Sequence, residues 1–361
     1  MLTRCLAELE AATGKRLGDA DAPLLVSVRS GAPISMPGMM DTVLNAGMTR
    51  GTAEGLGRAT GDTRFGWDTL RRFVQSYVSV VLGAPSDIVR QVSETHLGHD
   101  DGASLDTAAL EAATRALRAD FTARGYDVPA DPLTQVREAV GAVFASWTCD
   151  RARTYRRLEN ISDDLYTAAT VQMMAFGNLG DRSGTGVAFS RCPSDGKPGL
   201  MGDFLQGAQG EDVVAGTHQT LPMSRLAELW PDVTAELTET ARLLERDLCD
   251  LADIEFTVES GKFWMLQYRA GKRSPRAALR MAIDMAEDPD FPLSRAEALE
   301  RVAAILENPP MLAANTDAPT GSKAEHLIAT GLGASPGQAV GALVTTVEAA
   351  VISSPISLPM M

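Results

Sequence analysis

The sequence predicts an α+β protein, because short strand patterns alternate with longer helical ones. In residues 253–258, polar side chains at odd positions alternate with apolar ones at even positions, which is typical of a half-buried strand. A second, largely apolar run, residues 263–268, follows a tight turn at Ser260-Gly261, so the two runs predict a β-hairpin. Leucine and alanine at helical spacing over residues 237–251 predict a helix just before it.

The remaining elements are predicted from the same two periodicities. Further helices are expected over residues 1–16, 66–82 and 275–307, and further strands over residues 24–28, 168–176 and 186–190. Residues 84–147 are rich in charge and helix formers, with glycine and proline breaks, and predict a helical subdomain or insertion. Residues 308–325 read as a linker rich in Pro, Ala, Asn and Thr.

Composition narrows the class of protein. A chain of 361 residues is long enough for two domains and part of a third. The formal charge of −14 argues against a nucleic-acid partner, but it allows a nucleotide because salt confines charge effects to about 8 Å. No apolar run is long enough for a membrane span, and the four scattered cysteines are typical of free thiols, so a cytoplasmic location is expected.

The ends of the hairpin strands carry the most informative chemistry. A carboxylate at Glu255, an amide at Gln267 and a guanidinium at Arg269 are costly to bury unless something binds them. A magnesium ion carrying nucleotide phosphates would satisfy all three groups. An ordinary surface hairpin with solvated charges is the alternative, and a slip of one residue in the register would put Glu255 and Gln267 on opposite faces.

Other candidate residues each have a plain structural alternative. The loop at 177–186 contains four glycines that would let backbone N–H groups approach a phosphate, or it is a long hairpin turn. Arg29 ends an apolar strand and either points into a cleft or forms a structural ion pair. Arg72 lies on a predicted helix and would ordinarily be solvated, as would the basic group formed by Arg269, Lys272 and Arg273.

Taken in order, these segments resemble the nucleotide-binding domain of the pyruvate, phosphate dikinase family. The resemblance covers nearly all of residues 1 to about 345 and is carried by the segments Pro23–Gly31, Ser35–Thr42, Ser183–Phe189, Gln209–Gly216, Glu255–Thr257 and Leu266–Arg273. One departure is Tyr268, where a smaller threonine is expected in the family.

The resemblance implies an ATP-grasp-like fold, in which two α+β lobes clamp ATP and Mg²⁺. It implies that Glu255 and Gln267 hold the metal. It also implies an ATP-binding set comprising Arg29, Arg72, Ser183, Gly184, Thr185, Gly186, Asp253 and Arg269. The implied domains are 1–273 for nucleotide binding, 274–330 for a helical segment and linker, and 331–361 for the start of a phosphohistidine swivelling domain.

The implied function is that of an ATP-binding phosphotransferase module of a dikinase, which converts ATP, phosphate and pyruvate to AMP, diphosphate and phosphoenolpyruvate. Two family features do not appear in this sequence, a glycine-flanked lysine before the first strand and a segment bearing the phosphorylated histidine. The expectation is therefore a fragment that needs a separately encoded phosphohistidine and pyruvate-binding partner, or a non-catalytic nucleotide-binding remnant.

A turnover assay tests the expected lack of complete activity. The purified chain alone is expected to form no AMP from ATP and phosphate in a pyruvate-dependent manner, because an acceptor histidine is required for the full reaction. Pyruvate-dependent AMP formation by the chain alone would contradict this expectation.

Overall fold

The computed structural model describes residues 1–34, 36, 38–214, 219–289, 291–307 and 309. Its helices are α1 (Leu2–Thr13), α2 (Arg50–Thr60), α3 (Thr63–Val80), α4 (Ser86–Leu97), α5 (Thr107–Ala123), α6 (Pro132–Ser146), α7 (Asp150–Leu158), α8 (Gly210–Val214), α9 (Met223–Leu229), α10 (Pro231–Leu248), α11 (Pro275–Glu287) and α12 (Arg295–Glu307). Its strands are β1 (Arg16–Leu17), β2 (Pro23–Leu24), β3 (Val26–Ser30), β4 (Thr42–Ala46), β5 (Ala169–Met173), β6 (Gly184–Arg191), β7 (Pro198–Gln206), β8 (Leu221–Pro222), β9 (Ala252–Glu259) and β10 (Lys262–Ala270).

The strands of the described residues form three sheets. A five-stranded sheet has the order β10-β9-β6-β7-β8, a three-stranded sheet has the order β4-β3-β5, and β1 pairs with β2 in parallel. In the three-stranded sheet, β3 is antiparallel to both of its neighbours. The described residues thus combine helices with sheets, which agrees with the predicted α+β class.

The chain divides into two compact units. The first comprises Met1–Ala188, Gly202–Leu237 and Ile254–Arg269. The second comprises Phe189–Met201, Thr238–Asp253 and the described part of Ala270–Met361. The candidate residues are in the first unit except for Asp253, which falls in the second.

The core of the first unit forms where the three-stranded sheet meets helices α3 and α6. Val26 and Val28 of β3 are fully buried, and so is Phe73 of α3. Helix α3 begins at an Asp62 cap, whose side chain accepts a hydrogen bond from the Phe65 N–H. This core fixes the position of β3, and with it the Arg29 side chain near the end of the strand.

The second unit has a smaller core of its own. Leu251 packs with Met281 and Met285 of α11. In the same unit, the buried Arg191 guanidinium binds Glu245 at 2.6 Å and Asp284 at 2.9 Å. The two carboxylates neutralise a charge that would otherwise be costly to bury.

Most of the elements expected from the sequence are present. The helical segment 84–147 contains α4, α5 and α6, and the hairpin forms with Ser260-Gly261 as its turn. Residues 275–307 form two helices instead of one, because the chain leaves the helix at Asp288 and a Pro292 follows. The linker and the proposed start of a swivelling domain fall almost entirely outside the described residues.

The alternative interpretation of the glycine loop as a long hairpin turn is wrong. Strand β5 before the loop pairs with β3, whereas β6 after it lies between β9 and β7. The loop therefore connects two different sheets of the first unit. Periodicity detects the two strands but carries no information about which partners they choose.

Candidate functional site

The hairpin of β9 and β10 presents the candidate carboxylate, amide and guanidinium. Ile254, Phe256 and Val258 are buried in the sheet core, so Glu255 points to the opposite face of β9. The turn residues Ser260 and Gly261 both have positive φ, of 50° and 83°. This is the arrangement of a two-residue hairpin turn, which matches the twist of the flanking strands.

The register of this hairpin decides whether Glu255 and Gln267 share a face. Counted from the two-residue turn, Glu255 would lie opposite Leu266, and Gln267 would point to the other side. At the open end of the hairpin, however, the Gly271 N–H donates to the Leu251 carbonyl at 2.7 Å. Counted from the turn, residue 251 would face residue 270, so this bond belongs to a register that is shifted by one residue along β10. The ladder therefore contains one extra residue in β10, a β-bulge.

The contacts of Arg269 indicate that the bulge in β10 lies between the turn and Gln267. Arg269 donates from Nη1 to Glu255 Oε1 at 3.4 Å, so the two side chains lie on one face. Gln267 precedes Arg269 by two residues and shares its face of the strand. In this register Glu255 faces Gln267, as the predicted metal site requires.

Arg29 reaches this hairpin from the three-stranded sheet. Its Nη2 donates a hydrogen bond to the Leu266 carbonyl of β10. Burial lowers the pKa of Arg29, and the Glu255 carboxylate opposes this shift. An arginine stays protonated at neutral pH even so, so Arg29 adds a positive charge beside Glu255.

The resulting cluster contains two guanidinium groups and one carboxylate. Glu255 is 36% exposed at its side chain and Arg269 is 22% exposed, so both remain open to solvent. Arg29 and Arg269 thus bring two positive charges near the Glu255 carboxylate, on a protein of net charge −14. Such a cluster can receive an anion, and its planar guanidinium groups suit phosphate oxygens.

The donor set is compatible with magnesium. Mg²⁺ prefers oxygen ligands and is usually held by one or two carboxylates together with substrate phosphates and water. Glu255 supplies a carboxylate, and Gln267 supplies an amide oxygen on the same face. Within the described ranges no group of three or more His, Cys, Asp or Glu residues is arranged to hold a metal.

Arg72 is placed in an ion-pair network instead of a solvated position. Its Nε binds Asp68 at 3.1 Å, and its Nη1 binds Asp212 at 3.1 Å. Asp68 also binds Arg71, which is only 3% exposed. The network joins helix α3 to the short helix α8, so Arg72 has a structural role that the sequence did not indicate.

This network should make stability depend on pH. Burial raises the pKa of Asp68, but Arg71 and Arg72 outweigh it and the net shift is downward. A lowered pKa in the folded state means stability that is present above the unfolded value of about 3.9 and is lost as the pH falls through the folded value. Asp68→Asn is expected to cost about 3 kcal/mol at pH 7, because Arg71 loses a buried partner.

Urea unfolding at several pH values measures this effect. The difference in the free energy of unfolding between wild type and Asp68→Asn should shrink as the pH is lowered from about 5 to 2. At low pH the Asp68 side chain is protonated, and it is then as neutral as the asparagine that replaces it. Asp87→Asn is the control, because Asp87 is exposed in the first turn of α4. A difference for Asp68→Asn that stays constant with pH would contradict the assignment.

Residues Ser183–Gly186 lie at the start of the central strand β6 and are all buried. Ser183 accepts a hydrogen bond from the Ser260 N–H at 2.8 Å, which ties the loop to the hairpin turn. Thr185 donates to the Phe256 carbonyl at 3.1 Å. These contacts fix the loop against the hairpin, while its preceding residues Gly180–Arg182 are exposed.

A polar network that the sequence did not indicate holds the same loop. Gln209 is 2% exposed. It donates to the Asn178 Oδ1 at 3.2 Å and accepts from the Asn45 Nδ2 at 3.3 Å. Asn45 has a φ of 59°, which is uncommon for a residue other than glycine. Asn45, in the sequence Asn45-Ala46-Gly47, is the signal that could have indicated this network, because asparagine tolerates the left-handed backbone conformation.

Comparison with known protein families identifies the class to which the chain belongs. Residues 2–222 match the family profile described as "Pyruvate phosphate dikinase, AMP/ATP-binding domain", which defines the class of the chain as an adenine-nucleotide-binding domain. The chain belongs to the pyruvate, phosphate dikinase family, as the sequence resemblance indicated.

Individual relatives agree with this assignment. The chain is 43% identical to pyruvate, phosphate dikinase of Rhizobium meliloti (strain 1021), over 96% of this chain and 40% of that protein. It is 41% identical to the enzyme of Clostridium symbiosum, over 95% of this chain and 39% of that protein. It is also 41% identical to the chloroplastic pyruvate, phosphate dikinase 1 of Arabidopsis thaliana, over 96% of this chain and 36% of that protein. The chain thus spans about 40% of the length of these relatives.

Among the residues that the structure describes, no helix is both long enough and apolar enough to span a membrane.

Proposed function

We propose that this chain binds Mg·ATP and supplies the ATP-side half of a dikinase phosphotransfer reaction in the cytoplasm. The observation that carries the proposal is the cluster in which Arg29 from one sheet meets Glu255 and Arg269 from another. Two sheets of one compact unit supply charges to a single place, as an ATP-grasp clamp would require. The family assignment supports an adenine nucleotide as the ligand.

In this proposal the arginines and the carboxylate have different tasks. Arg29 and Arg269 would contact phosphate oxygens and neutralise charge, and Glu255 and Gln267 would hold a Mg²⁺ ion that supplies further positive charge to the phosphates. Phosphoryl transfer depends mainly on positioning and on stabilising charge, so no side-chain nucleophile is needed on this chain. The acceptor would be a histidine, as the resemblance implies.

Three further parts of the candidate set have less direct support. Asp253 is 6% exposed and stays a proposed ATP-binding residue. For Ser183–Gly186, burial leaves little side-chain surface, so any phosphate contact would use the backbone or the exposed residues before them. Arg72 already binds Asp68 and Asp212, so its guanidinium would have to bind phosphate in addition to these two carboxylates.

Calorimetric titration of the wild-type chain and of Arg29→Met tests the proposal. The variant is expected to bind Mg·ATP about tenfold to a hundredfold more weakly, because a charge-assisted phosphate contact is lost. Its affinity for adenosine should be unchanged, since adenosine has no phosphate. Arg50→Met is the matched control, because Arg50 is exposed and pairs with Glu54 on α2.

Two results would reject the proposal. One is a wild-type chain that binds neither Mg·ATP nor Mg·AMP in the millimolar range or tighter. The other is an Arg29→Met variant that loses adenosine and Mg·ATP affinity equally, which would indicate a general structural defect instead of a phosphate contact.

A further inference from the structure

The glycine loop is in close backbone contact at its base, where residues 177–183 lead into β6. A Cβ atom added at Gly177 would lie 2.8 Å from the Gly184 carbonyl oxygen, so the start of the loop touches the strand that follows it. The same added atom would lie 2.2 Å from the Ala208 carbonyl oxygen. Only a residue without a Cβ atom fits at this position. The chain around Ala208 therefore packs directly against the base of the loop.

The clasp, residues 207–209, forms hydrogen bonds to both ends of the loop. At one end, the Gly207 N–H donates to the Ser183 carbonyl at 2.9 Å. At the other end, the Gln209 Nε2 donates to the Asn178 Oδ1 at 3.2 Å. The clasp and the loop lie in the same compact unit. A single short segment thus holds the two ends of the loop together.

Gln209 is the buried member of the clasp. It is 2% exposed, and its Oε1 accepts a hydrogen bond from the Asn45 Nδ2 at 3.3 Å. A buried amide is costly unless it is bonded, and here both polar atoms of the side chain are used. Its partner Asn45 has a φ of 59°, a strained conformation that persists where the surrounding structure fixes it. Gln209 therefore belongs to a rigid part of the unit and ties the loop to it.

The polar groups of the loop itself leave little freedom for a phosphate contact by side chains. The Ser183 hydroxyl donates to the Leu179 carbonyl and accepts from the Ser260 N–H. A hydroxyl has only one proton to donate, so a phosphate at this loop would meet backbone N–H groups. A site of this kind works only when its groups are held within about 0.5 Å of the binding geometry. Whatever fixes the loop backbone therefore also sets the affinity for phosphate.

We propose that Gln209 is a positioning residue, which holds the glycine loop in the shape that binds the nucleotide phosphates. The proposal rests on the proposed binding of Mg·ATP. Gln209 acts through Asn178 and not by touching the nucleotide. Its loss should therefore weaken the binding of phosphate-bearing ligands and leave the binding of adenosine unchanged.

Hydrogen exchange of the nucleotide-free chain tests the clasp. Gln209→Leu roughly keeps the side-chain volume but removes both side-chain hydrogen bonds. The amide protons of Leu179 and Gly207 are expected to exchange at least about tenfold faster in this variant. Val92→Ala is the control, because it leaves a cavity in α4, which packs against α3 and α5, and should not change these two rates. Unchanged exchange in Gln209→Leu would overturn the proposal.

Changes at Asn178 separate the hydrogen bond from side-chain packing. Asn178→Asp keeps an oxygen that can accept from Gln209, so its exchange rates should match those of the wild type. Asn178→Leu removes the acceptor and should loosen the loop, and the Q209L/N178L variant should be no looser than Gln209→Leu. Wild-type exchange in Asn178→Leu, or additive loosening in the double variant, would overturn the pairing. Because Asn178 is only partly buried, these variants test the proposal even if Gln209→Leu fails to fold.

Calorimetric titration measures the effect on the nucleotide. Gln209→Leu is expected to bind Mg·ATP about tenfold more weakly and adenosine with unchanged affinity. Equal losses for both ligands would indicate a general defect of the fold and overturn the positioning role. Wild-type affinity of Gln209→Leu for Mg·ATP would overturn that role alone, whereas a wild-type chain that does not bind Mg·ATP would overturn the proposed function and the positioning role together.

Discussion

Glu255→Ala is expected to abolish the Mg²⁺ dependence of ATP binding. In the wild type, adding Mg²⁺ should strengthen ATP binding, because Glu255 and Gln267 would coordinate the ion that the phosphates carry. Loss of the carboxylate removes the charged ligand, and the affinity for Mg·ATP should fall about a hundredfold. Titration with ATP in Mg²⁺ and in a chelator measures both affinities.

The contacts of Glu255 give this prediction a second readout. The carboxylate binds Arg269 at 3.4 Å and interacts electrostatically with Arg29. Its removal leaves both cations without this counter-charge, so metal-free ATP should bind Glu255→Ala at least as well as wild type. A variant that merely unfolds the hairpin would lose both affinities.

Two control variants separate charge from shape. Glu255→Gln keeps an oxygen ligand but no charge, so an intermediate Mg²⁺ dependence is expected. Glu236→Ala removes an exposed carboxylate from α10 and should behave as wild type. If Glu255→Ala kept the full Mg²⁺ effect, the metal would not be held at this hairpin.

Gly66→Ala is expected to cause a large loss of stability. A Cβ atom at Gly66 would lie 2.1 Å from the Ala53 carbonyl oxygen and 3.1 Å from the Gly57 nitrogen. Both contacts are with the backbone of α2, which cannot rotate away as a side chain would. Helices α2 and α3 would have to separate, and overpacking of this kind costs about 3 kcal/mol or more.

Gly141→Ala is the matched control for this prediction. Gly141 lies inside α6, is exposed, and has nothing within 4 Å of an added Cβ atom. The same substitution there should stabilise the protein by about 0.5–1 kcal/mol, because alanine favours the helix and restricts the unfolded chain. Urea midpoints of the two variants should therefore shift in opposite directions, and shifts in the same direction would contradict the close helix contact.

The elements of the candidate site could be predicted from the sequence, but their contacts could not. Alternation in residues 253–258 indicated β9, and the turn at Ser260-Gly261 is present as expected. The sequence could not show the extra residue in β10, because a bulge leaves no clear local signal. That residue decides whether Glu255 and Gln267 share a face.

The roles of the arginines show the same division. Arg29 was expected either to point into a cleft or to form a structural ion pair, and the structure brings it to the Leu266 carbonyl and near Glu255. Arg72 looked like a solvated charge on a helix face. It is bound by Asp68 and by Asp212, which is 140 residues distant in the chain. Helical spacing predicts only the first of these partners.

The sequence by itself determined the α+β class, the family and most of the helices and strands, because periodicity, turn residues and motifs are local properties of a chain. Only the tertiary structure decided the hairpin register, the sheet to which each strand belongs, and the meeting of Arg29 with Glu255. These depend on contacts between residues far apart in sequence, whose energies arise from packing and charge in three dimensions.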